Sequence, residues 1–130
     1  MIAHYTQVAM ALENQRFAVP ASVQSMPTSA MQEDHVSNGW AAARKLRRSI
    51  DNLRRVLAVE LVCAAAALDL RGPLSPAPAT SAAVHALRTR VAGPTADRWL
   101  SPDLRAAEHL LADGIVLEAV EAAIGPLEVL

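Results

Sequence analysis

The sequence predicts an all-α fold: one long bundle helix with shorter helices packed against it. Three observations carry this. Apolar residues recur at spacings of three and four along most of the 130-residue chain. No segment shows the alternation of a strand. Apolar residues make up 52% of the chain but aromatics only 3%, so a core must be filled with Leu, Val and Ala, which closely packed helices do best.

Residues 1 to 16 place Ile2, Tyr5, Val8, Ala9 and Leu12 along one helical stripe. No Ser, Thr, Asp or Asn precedes this helix, so its natural start is expected upstream of Met1. Periodicity then lapses from Phe17 to Ser37, where Pro20, Pro27, Ser22, Ser25, Thr28 and Ser29 make a long irregular segment, a kind that is often functional.

After Asn38-Gly39 a helix is predicted over 40–71, ending at Arg71-Gly72-Pro73. Leu46, Ile50, Leu53, Leu57, Ala64 and Leu68 keep a near-heptad stripe, and Val56, Val59 and Val62 fill a second face. Its first half is basic, from Arg44 to Arg55. Its second half, Val56 to Leu68, is apolar except for Glu60 and is expected to be enclosed by protein, with Cys63 an inert packing residue and Glu60 in an interhelical ion pair. Residues 80–130 read as short helices. One covers Ser81 to Val91 with Val84, Leu87 and Val91 on one face. Another starts at Ser101-Pro102-Asp103, with Ser101 as cap, and a last one spans Ile115 to Ile124. Residues 106 to 130 carry acids and no Lys or Arg, complementing the basic half of the long helix. That helix, about 45 Å long, cannot be enclosed by four short ones, so it needs further helices as partners.

Several function classes lose support. A formal net charge of −1 removes bulk electrostatics as a reason to bind nucleic acid or membrane, and the basic stripe lacks interleaved aromatics. The longest apolar run is too short to span a bilayer. A lone cysteine and the absence of a secretion signal make a cytoplasmic setting the default. His4, Glu33 and His35 lack metal-ligand spacing, and no P-loop, GxGxxG or GxSxG motif occurs. The densest polar cluster is Gln32-Glu33-Asp34-His35, beside Ser37 and Asn38. On spacing alone it reads as a loop capping the long helix through Ser37 or Asn38.

The blocks Pro20-Ala21-Ser22-Val23, Pro27-Thr28-Ser29-Ala30 and Gln32-Glu33-Asp34-His35-Val36-Ser37 precede Ala41-Ala42-Ala43-Arg44-Lys45. Further on come Val56-Leu57-Ala58-Val59-Glu60-Leu61, Ala67-Leu68-Asp69-Leu70-Arg71, Asp97-Arg98 and Pro102-Asp103. Together they resemble the C-terminal part of the histidine ammonia-lyases, a group within the aromatic amino acid ammonia-lyases. The resemblance implies a largely helical homotetramer with composite active sites. It divides the chain into a helix over 1–16, an active-site loop over 17–39, a central bundle helix over 40–71 and C-terminal helices over 80–130.

The activity implied is elimination of ammonia from L-histidine to give trans-urocanate, driven by a methylidene-imidazolone electrophile built from Ala-Ser-Gly. Here Ala21-Ser22 is followed by Val23, whereas cyclisation needs a glycine nitrogen to approach closely, so no catalytic residue is expected in this chain. Glu33 matches the family's glutamate near the substrate imidazole and is the expected substrate-binding residue, with Gln32 and His35 as secondary substrate-binding candidates that orient the loop. Asn38 departs from the family, which commonly has methionine there. The implied partners are the upstream portion of the lyase and other subunits. Two rival readings stand beside this one: a non-catalytic helical interaction module, and a piece of a related lyase or aminomutase.

Overall fold

The computed structural model describes residues 1–128. Residues 129 and 130, the end of the region expected to hold the C-terminal helices, lie outside it. Five α-helices follow one another: α1 (Ile2–Phe17), α2 (Gly39–Asp69), α3 (Pro78–Arg88), α4 (Ser101–Ala112) and α5 (Ile115–Ile124). A single 3-10 turn, Ala21–Gln24, lies between α1 and α2. The all-α architecture around one long helix is as the periodicity predicts.

Helix α2 is the spine. Helix α1 runs antiparallel along its first half, since Gln7 Nε2 donates to the Val56 carbonyl at 3.0 Å and Asn14 Nδ2 donates to the Ser49 carbonyl at 3.2 Å. Helix α4 packs on the second half of α2, and α5 packs on α3. The core lies where these meet: Ala58, Ala65, Leu87, Val91, Ala107 and Leu110 are buried together, with Leu61, Val62, Val84, Leu111, Ile115 and Val116 packed around them. No aromatic residue belongs to that core, in keeping with the composition. Small alanines on α2 and α4 let the two backbones approach closely, and Leu87 and Val91 fill the space left.

The α1–α2 seam is built differently. Asn52 is 2% exposed, and its Nδ2 donates to Glu13 Oε2 at 2.7 Å and to Asn14 Oδ1 at 3.1 Å. The half-buried residues of α1 alternate between polar (Gln7, Glu13 and Asn14) and apolar (Ala3, Met10 and Phe17), and the polar ones are matched on α2 by Lys45, Ser49 and Asn52. The apolar stripes noted in the sequence point elsewhere. Ile2, Tyr5, Val8 and Leu12 are exposed on α1, and Leu46, Ile50, Leu53 and Leu57 are exposed on α2.

Several local expectations are corrected. The second half of α2 is not enclosed: α1 and α4 cover one side, leaving Leu57, Glu60, Cys63 and Ala64 exposed. Cys63 is thus a surface thiol rather than a packing residue. Glu60 needs no ion pair because water solvates it, and it makes none among the described residues. Helix α3 starts at Pro78, with proline in its first turn, and ends before Val91. Helix α4 begins at Ser101 itself, so Leu100 is its N-cap and Ser101 caps nothing. The predicted charge complementarity appears in one contact among the described residues, Arg55 Nε to Glu108 Oε1 at 3.3 Å. The Asp97-Arg98 connector is held by Arg98, which reaches Asp103 Oδ2 at 2.7 Å and the carbonyls of Ala92 and Gly93. No helix among the described residues is long and apolar enough to cross a membrane.

Candidate functional site

The segment between α1 and α2 is an ordered loop fastened in four places. At its base, Lys45 Nζ donates to the Val19 carbonyl, and Asn38 Nδ2 donates to the Ala21 carbonyl at 3.2 Å. Higher up, the Ser25 hydroxyl donates to the Val36 carbonyl at 2.9 Å and accepts the Val36 N–H at 2.8 Å. At the tip, Thr28 and Glu33 form a small antiparallel bridge: Thr28 N–H donates to the Glu33 carbonyl at 2.9 Å, and Glu33 N–H returns to the Thr28 carbonyl at 3.3 Å.

The tip turns back within four residues by an uncommon route. Ser29, Ala30 and Met31 all have left-handed backbone angles, with φ of 53°, 54° and 70°. None is glycine, so each costs roughly 1 kcal/mol or more against the right-handed form. Hydrogen bonds from Met31 N–H to the Thr28 carbonyl and from Gln32 N–H to the Ser29 carbonyl, each 3.1 Å, offset part of that cost. Such a run is characteristic of functional loops, where geometry is held against local preference.

Glu33 projects from this tip and is exposed. Its Oε2 accepts the Thr28 hydroxyl at 3.1 Å. Gln32 and His35 are also exposed, and neither side chain makes a hydrogen bond among the described residues. The loop is therefore oriented by Ser25, Thr28, Asn38 and Lys45, not by Gln32 and His35. Thr28 and Ser25 were visible in the sequence only as members of a Ser/Thr/Pro-rich stretch, and nothing in their spacing marks one as the partner of Glu33 and the other of Val36.

Asn38 occupies the N-cap position of α2 in a left-handed conformation, φ 51° and ψ 28°, and its side chain is turned to Ala21 rather than to the helix. The expected side-chain cap by Ser37 or Asn38 is absent, because the amide is committed to holding the loop base. Asparagine adopts left-handed angles more readily than methionine, so the departure at this position suits the backbone found there.

Glu33 lines neither of two clefts formed by α1 and α2 with their neighbours. One, about 470 Å³, lies behind the loop base between Arg16, Val19, Gln24 and Lys45. The other, about 520 Å³, lies between the start of α1, α2 and the Trp99–Ser101 connector. Glu33 thus stands on an open surface.

The family model for aromatic amino acid lyases matches residues 1–89. The chain belongs to that family. It is 56% identical to the histidine ammonia-lyase of Streptomyces avermitilis over 128 residues, 98% of this chain and 25% of that enzyme. The histidine ammonia-lyase of Gloeobacter violaceus is 49% identical over the same share of both chains. The crystal structure of histidine ammonia-lyase from Trypanosoma cruzi superposes with a TM-score of 0.90 at 35% identity, covering 95% of this chain and 25% of that one. A tyrosine aminomutase from Streptomyces globisporus superposes with a TM-score of 0.87 at 34% identity, covering 93% and 23%. The chain therefore spans about a quarter of the length of the relatives it matches.

The electrophile implied by the resemblance does not fit the residues here. Ala21, Ser22 and Val23 lie in the 3-10 turn, where the Ala21 carbonyl accepts Asn38 and the Ser22 carbonyl accepts the Ser25 N–H at 3.1 Å. Valine holds the position that would need glycine, and no Ala-Ser-Gly occurs elsewhere in the chain.

Proposed function

We propose that this chain supplies one wall of a histidine ammonia-lyase active site, as the C-terminal portion of an enzyme that converts L-histidine to trans-urocanate and ammonia. The observation that carries this reading is the 56% identity to a histidine ammonia-lyase over nearly the whole chain. Its motif-bearing loop holds an exposed glutamate at its tip, which agrees with that reading.

In this reading Glu33 is the imidazole acceptor. Its carboxylate takes the ring N–H of the substrate, a charge-assisted hydrogen bond that favours a protonated ring. A phenyl ring in the same place would leave the carboxylate desolvated and unpaired, which disfavours phenylalanine. Gln32 and His35, exposed on either side of Glu33, line the same wall. The electrophile and the remaining substrate contacts come from an upstream portion and from neighbouring subunits, in a cytoplasmic homotetramer. Alone, the chain is inactive.

The likeness to a tyrosine aminomutase keeps a second reading in view, that of a site for another aromatic amino acid. Glu33→Gln separates the two when the chain is mixed with a polypeptide supplying the upstream Ala-Ser-Gly portion. The lyase reading predicts a loss in kcat/KM of tenfold or more for L-histidine, about one charge-assisted hydrogen bond, with little change for L-phenylalanine or L-tyrosine. An equal effect on all three substrates favours the second reading.

A further inference from the structure

The loop that presents Glu33 also carries the group that aims it. A free glutamate side chain rotates about three bonds and offers two equivalent oxygens, so a ring N–H would meet an ill-defined acceptor. At the tip of this loop that freedom is reduced. The left-handed turn at Ser29, Ala30 and Met31 brings residues 28 and 33 opposite each other, and two backbone hydrogen bonds hold them there. The Thr28 hydroxyl then donates to Oε2 at 3.1 Å, while Oε1 accepts no hydrogen bond among the described residues.

We infer that Thr28 is the positioning residue for Glu33. By occupying Oε2 it holds the carboxylate in one rotamer and leaves Oε1 as the single acceptor for the imidazole N–H. The inference rests on the reading of Glu33 as imidazole acceptor, and it goes beyond that reading by assigning a second residue to substrate selection. No proton changes owner: the hydroxyl donates a hydrogen bond and the carboxylate oxygen accepts it. The geometry also explains why threonine suits the position. Its branched Cβ restricts the side chain to few rotamers, so the hydroxyl is directed at little entropic cost.

The first test uses the chain as it stands. Three-bond NMR couplings about χ1 and χ2 of Glu33 are measured in the native chain, in Thr28→Val, which keeps the shape and removes the donor, and in Thr28→Ser, which keeps the donor. Values of a single rotamer in the native and Thr28→Ser chains, and averaged values in Thr28→Val, are expected. Averaged couplings in the native chain, or no change in Thr28→Val, overturn the inference. This result holds whether or not any lyase activity is assembled.

The second test concerns the site. In the enzyme assembled from this chain and the upstream portion, Thr28→Val is expected to raise KM for L-histidine about tenfold, with kcat within about twofold, and Thr28→Ser to restore it. In a Glu33→Gln background the same substitution should have no further effect, because its influence passes through the carboxylate. Additive losses would show that Thr28 acts through general loop structure and would overturn the inference. If Glu33→Gln itself leaves histidine turnover unchanged, the reading of Glu33 fails, while the couplings still decide whether Thr28 holds it.

Discussion

Single residues in this chain do work that their sequence context hides, and Asn52 is the clearest case. It lies in a basic, amphipathic stretch with nothing to distinguish it, yet it is the one buried polar residue among those described and joins Glu13 and Asn14 of α1 to α2. Removing one partner of such a network leaves the others without a donor in a place water reaches poorly. Asn52→Ala should therefore lower stability by about 1–3 kcal/mol in urea denaturation. Asn52→Asp should cost more, because it sets a second carboxylate against Glu13 where the amide now donates at 2.7 Å. An aspartate variant as stable as the native chain would contradict this account of the seam. Glu33 is a different kind of residue. It was singled out by the Gln32-Glu33-Asp34-His35-Val36-Ser37 block, but its bond to Thr28 was not legible there, since that contact depends on backbone angles that no local propensity favours.

Among the elements, the helices were legible and the loop was not. The predicted helix over 40–71 is observed as Gly39–Asp69, and the last helix at Ile115–Ile124, because apolar periodicity and Gly or Pro punctuation agree there. The ends of α2 moved by one or two residues, and the larger shifts belong to short helices, where the Ser101 cap and the Ser81 start rested on single residues. The predicted face of Val84, Leu87 and Val91 does enter the core, whereas the inward faces of α1 and α2 were misjudged for a physical reason. Periodicity finds an apolar stripe but not its neighbour, and on α1 and α2 the seam between them mixes polar and apolar side chains while the stripes of large apolar residues stay open. The loop between them runs against propensity at three consecutive non-glycine residues, which invites a direct test. Ala30→Gly removes the Cβ that disfavours φ of 54°, so it should raise stability by about 0.5–1 kcal/mol, read as a higher urea midpoint. A lower midpoint would mean that the gain in unfolded-chain entropy exceeds the strain relieved, so that the left-handed turn stores less strain than this account assigns to it.

At the scale of the whole molecule, the exposed apolar surface and the partial coverage of relatives describe one situation. Leu46, Ile50, Leu53 and Leu57 form a stripe along α2 with exposures of 63, 42, 51 and 42%, and the chain accounts for about a quarter of each enzyme it matches. Open apolar surface of this kind associates. Sedimentation at rising concentration should show self-association of the isolated chain, reduced in Leu53→Glu, and a monomer at all concentrations would count against the need for neighbours. The central claim is that this chain completes a histidine ammonia-lyase site without holding its electrophile. It is tested most directly by following urocanate absorbance with L-histidine, first with this chain alone and then with an equimolar polypeptide supplying the upstream Ala-Ser-Gly portion. The account predicts no urocanate from the chain alone and sustained formation from the mixture. Urocanate from the pure chain, or none from a mixture whose two parts are shown to associate, would contradict it.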